Sequence, residues 1–385
     1  MNQTLSNAGD RFYSEFEQLR KNSPVSRDGE TGPWRVALYD DVRTVLRDDQ
    51  TFSSDVSLRP REPGASPSML FSDPPVHNRL RKLVSRAFSP KRIAQQREPI
   101  AKRCEQLVNQ MLKQDQPDLV HELASPLPVT VIADMLGVTD GNMRKFKYWS
   151  DTIFGNIGEI LLGEPDETVT KASDDMNAYF LSRIKRLRDI PEQHLLSQLV
   201  HVETDDGRLT DSELLMFCGL LLIAGNETTT GLISACVRIF HELPWTFDRL
   251  KSDPALIEPF VEETLRYYAP FQMTIRRATR DVEIAGSMIS KGEIVLPLIA
   301  SANRDENIFP DADQFVIERD PNPHLAFGLG LHNCLGAPLA RMEGQIAVAA
   351  LIEHLDGISL VEHNAELLSR FGGPDRLAIN IQRAA

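Results

Sequence analysis

The chain has 385 residues, 42% of them hydrophobic and 25% charged, with 22 glycines and 24 prolines. That composition excludes wholesale disorder, collagen-like and low-complexity architectures, and the length allows one large domain or two. With 42 basic and 55 acidic residues the net charge is −13, which disfavours general nucleic-acid binding, because phosphate contacts need clustered Lys and Arg. The cysteines, Cys104, Cys218, Cys236 and Cys334, show no CxxC spacing, which argues against a disulfide framework or a structural zinc site. The first residues hold no basic region followed by an apolar core. No signal peptide or membrane anchor is therefore expected, and the cytoplasm is the expected compartment.

In chain order, Trp34–Tyr39 reads as a short strand and Asp40–Arg47 as a capped helix. Residues 53–75 carry five of the 24 prolines and read as a long loop that is functional or moves. The stretch from His77 to Met111 is helical in pattern and basic: between Arg79 and Arg103 stand nine Lys or Arg against Glu98 alone. Further helices are expected over Val129–Leu136, Asn142–Phe154 and Thr168–Arg188. Strands are expected at Val282–Ile284 and Ile294–Leu298, around the turn-like segment AGSMISKGE. A Pro- and Asp-rich irregular stretch runs from Asn303 to His324, and one more helix follows Cys334 to about Leu355. Short strands and turns fill Ile358–Ile381. Strands do not alternate regularly with helices, so the expected fold is mainly α with a minor β part, not a doubly wound sheet.

Thr210-Asp-Ser-Glu213 is a capping-box pattern opening a helix that reads on to Pro244, roughly 50 Å at 1.5 Å per residue. It carries no charge from Leu214 to Ala224, nor from Thr228 to Val237. A membrane span is one reading. A core helix of a soluble protein is the favoured one, because Glu227 and a run of threonines sit at its centre. Within it, Ala224-Gly225-Asn226-Glu227-Thr228-Thr229 places Gly, an acid and hydroxyls where each is locally costly. The segment is either a packing notch with a paired Glu, or a kink lining a ligand cavity with Glu227 and Thr228 handling water or protons.

The run Phe327-Gly328-Leu329-Gly330-Leu331-His332-Asn333-Cys334-Leu335-Gly336 sets a lone cysteine among glycines just ahead of a helix. Helix N-terminal amides favour a thiolate, and Gly330 and Gly336 let backbone approach the sulfur or a flat cofactor. Cys104, Cys218 and Cys236 read as small buried hydrophobes.

Phe327, Gly330, His332, Cys334 and Gly336 resemble the haem-binding loop of cytochrome P450 enzymes, FxxGxRxC with a Gly two residues on; His332 stands where the pattern often has Arg. Other motifs of that family follow in order. Glu263-Thr-Leu-Arg266 is similar to ExxR, 71 residues before Cys334, with Arg319 at the position of its partner arginine. Ala224–Thr229 is similar to the AGxET oxygen-binding groove, and His77-x-x-x-Arg81 to HxxxR. The resemblance covers the chain from about Trp34 onward. It implies the cytochrome P450 fold as a single domain, with its β-rich part mainly at 34–60, 274–298 and 358–382, and haem b between the long helix and the cysteine loop. Cys334 would be the iron ligand. His77, Arg81, Arg276 and His332 would meet the propionates, with Arg277 an adjacent rival for Arg276 and His324 a further candidate. Phe327, Gly328, Ala224, Gly225 and Gly336 would line the cofactor, and Glu263, Arg266 and Arg319 would form a structural network. Asn333 is polar where a bulkier residue is expected.

The implied activity is a monooxygenase that inserts one atom of dioxygen, by hydroxylation or epoxidation, into a hydrophobic small molecule. Thr228 and Glu227 would be its catalytic acid–alcohol pair. A peroxide-driven enzyme and a non-catalytic haem sensor are the alternatives, and the intact pair argues against both. The implied substrate pocket comprises Leu58, Met69, Leu70, Phe71, Leu221, Phe271, Gln272, Met273, Thr274 and Phe371. Residues 56–75 and 149–166 are expected to move to admit substrate. Electrons would come from a separate ferredoxin or flavodoxin with its NAD(P)H-dependent reductase, docking on basic residues such as Arg79, Lys82, Arg86 and Arg341. Neither nucleic acid nor a membrane is an expected partner.

Overall fold

A computed structural model describes residues 11–27, 29–56, 68–138, 142–156, 165–205, 207–361 and 373–383. The principal helices are α1 (Arg11–Asn22), α2 (Tyr39–Arg47), α3 (Val76–Ala87), α4 (Pro90–Met111), α5 (Pro126–Met135), α6 (Met143–Gly155), α7 (Glu167–Asp189), α8 (Leu195–His201), α9 (Asp211–Glu242), α10 (Trp245–Ser252), α11 (Ile257–Tyr267) and α12 (Ala337–His354). The strands are β1 (Val25–Arg27), β2 (Trp34–Val36), β3 (Phe52–Ser53), β4 (Glu203–Thr204), β5 (Gly207–Arg208), β6 (Arg276–Ala278), β7 (Val282–Ile284), β8 (Ser287–Ile289), β9 (Ile294–Pro297), β10 (Leu355–Leu360) and β11 (Ile379–Arg383). Two compact units result: Met1–Ser53, Arg97–Leu127 and Glu227–Ala385 form one, Ser54–Gln96 and Pro128–Asn226 the other.

The first unit holds a five-stranded sheet in the order β1-β2-β9-β6-β3. β2 runs parallel to β9, and the other pairs are antiparallel. Val36, Val42, Val45, Phe52, Val295 and Phe309 fill its core. Buried Tyr39, Val42, Val45 and Leu46 recur at helical spacing, which is why α2 lays one face against that core. The cap expected for α2 does not come from its own sequence. Leu38 occupies the N-cap without a side-chain bond, and Asp305 Oδ2 accepts the Tyr39 N–H from 2.8 Å. The turn-like segment after β7 proves to contain a strand: β8 pairs with β7 across Ala285 (φ 46°) and Gly286 (φ 79°). Two positive φ values in succession suit a tight hairpin. Helix α1, with Tyr13, Phe16 and Leu19 buried on one side, had no counterpart in the sequence reading.

In the second unit α7 is capped by Asp166, whose side chain accepts the Val169 N–H at 2.7 Å, and it buries Val169, Ala172, Met176, Phe180, Ile184 and Leu187. Phe180 meets Phe146 of α6 edge-on, their centroids 6.4 Å apart. The predicted capping box at the start of α9 is realised: Glu213 N–H donates to Thr210 Oγ1 at 3.2 Å, and Thr210 N–H to Glu213 Oε2 at 2.8 Å. Helix α9 runs 32 residues. Among the described residues it is the helix long and apolar enough to cross a membrane, yet 61% of its most apolar stretch is buried inside the protein, as a core helix requires.

Candidate active site

The cysteine loop is shaped by backbone that only glycine adopts easily. Gly328 and Gly330 have φ of 66° and 73°, and a Cβ on Gly330 would stand 2.8 Å from the Leu46 carbonyl oxygen. A single turn at Gly330–His332 then leads to Cys334, whose N–H donates to Phe327 O at 2.9 Å. Asn333 Nδ2 donates to the carbonyls of Phe327 and Gly328, each at 3.4 Å, so this polar neighbour braces the loop. Cys334 is exposed, while Cys104, Cys218 and Cys236 are buried. Burial pushes the thiols of Cys104 and Cys236 up to about 12, and that of Cys218 higher still, which makes them inert. A Cβ on Gly336 would lie 4.0 Å from Cys334 Sγ, and α12 begins at the next residue.

The expected structural network is present. Glu263 and Arg266, one turn apart on α11, are both 0% exposed. Arg266 Nε and Nη2 donate to the two Glu263 oxygens at 2.8 Å each. Its remaining donors go to the carbonyls of Asn303, Ala312 and Gln314, all at 2.9 Å. Arg319 Nε donates to Glu263 Oε1 at 3.1 Å, and the Val316 N–H to the same oxygen at 2.9 Å. A buried carboxylate with this many donors is fully compensated, and the irregular stretch from Asn303 to Asn322 wraps around it.

On α9, Ala224 is exposed, Glu227 and Thr228 are half-buried, and Asn226, Thr229 and Thr230 are buried. The helix runs on without a break here, and Gly225 packs tightly: a Cβ on it would lie 2.8 Å from Ile132 Cδ1 of α5. Asn226 Nδ2 donates to Ser150 Oγ at 2.8 Å, and Thr230 Oγ1 to Ala124 O at 3.1 Å. His77 and Arg81 share a face of α3; His77 is buried, with Nδ1 3.3 Å from Asn78 Oδ1, and Arg81 is half-buried. The alternation of β6 separates the two rival arginines. Arg276 opposes Val295 on the buried face, and Arg277 opposes Ile294 on the other.

Of the expected pocket residues, Gln272 is buried; Met69, Phe71, Leu221, Phe271, Met273 and Thr274 are half-buried; Leu70 is exposed. Leu58 and Phe371 lie outside the described residues, as do 57–67 and 157–164 of the segments expected to move. Gly373 packs so close to α9 that a Cβ on it would stand 2.7 Å from the Gly231 Cα, one turn beyond Thr228. Several expected docking residues are already engaged. Arg79 Nη1 donates to Glu213 Oε1 at 2.6 Å, Arg86 Nη1 to Glu203 O at 2.7 Å, and Arg341 Nε to Glu262 Oε1 at 2.7 Å. Lys82 is exposed.

Sequence reasoning missed Glu262 and Glu343; it named His324 as a propionate candidate but not the contact of its Nε2 with Glu262 Oε2, at 3.1 Å. The doubled acid Glu262-Glu263 was the available signal for the first. Glu343, among apolar residues of α12, is 2% exposed, and burial pushes its carboxyl up to about 8.

The loop fits a thiolate-ligated iron cofactor: an exposed thiol on a glycine-bent turn, with small Gly336 beside it. Comparison with known proteins agrees. The family profile for cytochrome P450 matches residues 252–363. Cytochrome P450 109 of Bacillus spizizenii is 38% identical over 355 residues, 91% of this chain and 86% of that protein. The structure of cytochrome P450 CYP109Q5 from Chondromyces apiculatus superposes with a TM-score of 0.90 at 36% identity, covering 99% of this chain and 98% of that one. CYP109E1 from Bacillus megaterium in complex with testosterone gives a TM-score of 0.84 at 38% identity over 95% and 98% of the two chains. The thiol loop, the buried Glu–Arg–Arg network and these likenesses along nearly the whole chain make the protein a member of the cytochrome P450 family, a cytochrome P450 monooxygenase.

Proposed function

We propose that this monooxygenase holds haem b as a single cytochrome P450 domain and uses it to hydroxylate or epoxidise a hydrophobic small molecule. The observation that carries the reading is Cys334, the exposed cysteine among buried ones, set on a loop whose amide bond to Phe327 O orients it. In this reading Cys334 is the iron ligand. His77, Arg81, Arg276 and His332 meet the propionates with charge-assisted hydrogen bonds, and Phe327, Gly328, Ala224, Gly225 and Gly336 complete the lining. When bound, the haem supplies the iron at which dioxygen is reduced, and its thiolate ligand favours O–O cleavage.

The chain's own residues do the rest. Glu227 passes protons from solvent to the Thr228 hydroxyl, and Thr228 Oγ1 presents them to the reacting oxygen. The half-buried position of both, between buried neighbours on α9, supports this assignment. Met69, Leu70, Phe71, Leu221, Phe271 and Met273, with Leu58 and Phe371, exclude water and hold an apolar substrate; Gln272 and Thr274 orient it. A relative that binds testosterone supports a compact, largely apolar substrate of that kind. Electrons arrive from a separate ferredoxin or flavodoxin with its NAD(P)H-dependent reductase, in the cytoplasm.

The carbon monoxide difference spectrum of the reduced protein tests the reading. A strongly red-shifted Soret band is expected, lost in Cys334→Ser. An unchanged band in that variant would place the ligand elsewhere, and an absent haem band in the wild type would overturn the assignment.

A further inference from the structure

The two consecutive glutamates of α11 point about 100° apart around the helix, and so reach different partners. Glu263 turns inward to hold the stretch up to Asn322. Glu262, 25% exposed at its side chain, takes up the chain where that stretch ends. His324 Nε2 lies 3.1 Å from Glu262 Oε2, and His324 Nδ1 accepts the Ala326 N–H at 3.3 Å. An accepting Nδ1 fixes the tautomer with its proton on Nε2, donated to Glu262. From α12, Arg341 makes a bidentate pair with the same carboxylate, Nε to Oε1 at 2.7 Å and Nη2 to Oε2 at 2.9 Å. Burial opposes ionisation of Glu262, but the hydrogen bonds from His324 and Arg341 outweigh it and hold the carboxyl down at about 2.

What this carboxylate holds in place is Phe327. The Arg341 guanidinium stands over the Phe327 ring, 4.4 Å from its centroid, and the His324 ring lies 6.2 Å away on a tilted plane. Phe327 is also the residue whose carbonyl accepts the Cys334 N–H at 2.9 Å. A continuous path therefore runs from Glu262 through Arg341 and His324 to Phe327, and through its carbonyl to the cysteine.

We propose that Glu262 is a positioning residue for Cys334: by clamping Arg341 and His324 it fixes Phe327, and so keeps the cysteine amide bonded and the sulfur aligned as a ligand. The proposal rests on Cys334 being the haem ligand. Neutral glutamine at 262 keeps the shape but removes the charge behind all three hydrogen bonds, and its amide NH2 cannot accept from the donor it faces. The clamp reaches the loop from outside the buried Glu263 network, so its loss loosens one loop and leaves the global fold standing.

The test uses the haem-loaded protein in the reduced, carbon monoxide-bound form. The rate at which the red-shifted Soret band converts to the ordinary position on mild warming is measured for wild type, Glu262→Gln and Arg341→Lys. Glu262→Gln is expected to convert about tenfold faster, since each lost charge-assisted bond is among the stronger ones in a protein. Its helical circular dichroism should melt within a few degrees of wild type. Arg341→Lys, which keeps charge but loses the fork and the stacking, should fall between the two. If Glu262→Gln does not take up haem, Arg341→Lys alone carries the comparison. Conversion at the wild-type rate in the variants would overturn the clamp and leave the ligand assignment intact. Faster conversion accompanied by an equal loss of global stability would also overturn it, reducing Glu262 to a general structural residue. A wild type without a red-shifted band would overturn both.

Discussion

At the scale of single residues, burial decides what each ionisable group does. Glu343 is enclosed in α12 with a carboxyl raised from the ordinary 4.5 to about 8. Its folded form binds a proton more tightly than its unfolded form. The stability this confers is complete below about 4.5 and is lost as pH rises through about 8, at roughly 1.4 kcal/mol per pH unit inside that window. Glu343→Gln should therefore raise the melting temperature near pH 8 and bring little gain near pH 5. An equal gain at both values would show that the carboxyl ionises normally. Thr228 is the opposite case, a half-buried hydroxyl assigned a chemical role. Thr228→Ala should leave the cysteine spectrum and substrate-induced spectral shift in place while diverting at least about 99% of consumed oxygen to peroxide, the low end of the ~10²–10⁴-fold worth of a proton-transfer group. Product formed with full coupling in that variant would remove Thr228 from the relay.

Helix α9 shows at the element scale how a costly residue is retained. Glycine in a helix interior costs about 1 kcal/mol against alanine, so Gly225→Ala would stabilise an isolated helix. Here the added methyl would meet Ile132 at 2.8 Å. Overpacking of that kind costs about 1–3 kcal/mol, and the net expectation is a lowered melting temperature, partly recovered by shortening Ile132 to valine. A Gly225→Ala protein more stable than wild type would show that α5 moves aside freely. The start of the same helix was legible, because a capping box is written in four adjacent residues and its bonds are local. The source of the α2 cap was not. Its first amide is satisfied by Asp305, which no local pattern connects to Tyr39.

Across the whole molecule, net charge and its local exceptions shape association. The chain carries −13 overall, but residues 79–103 are basic, and Lys82, Lys91, Arg97 and Lys102 are exposed. The ion pairs of Arg79 with Glu213 and of Arg341 with Glu262 remove two of the expected docking cations. An acidic electron donor would thus be attracted by the remaining exposed cations, Lys82, Arg86, Lys91, Arg97 and Lys102. Its second-order reduction rate should fall about tenfold or more between low and physiological salt, and Lys82→Glu should lower it further at low salt only. A rate independent of salt would remove the electrostatic docking idea.

The sequence by itself determined the chemistry-bearing parts. A lone cysteine among glycines, ExxR on one helical face and an acid beside an alcohol in an apolar helix are local patterns, and their order along the chain carries the family resemblance that implies their chemistry. It also determined that the fold is mainly helical, since 3.6-residue periodicity dominates. Only the tertiary structure decided which arginine of Arg276 and Arg277 faces inward, because a two-residue alternation says which residues share a face but not which face is buried. The bond of Arg319 to Glu263 across 56 residues was expected through the family resemblance alone, and only the structure joined Glu262 to Arg341 across 79. Hydrogen bonds between distant segments depend on where the packed core brings the backbone, and packing is a property of the whole chain.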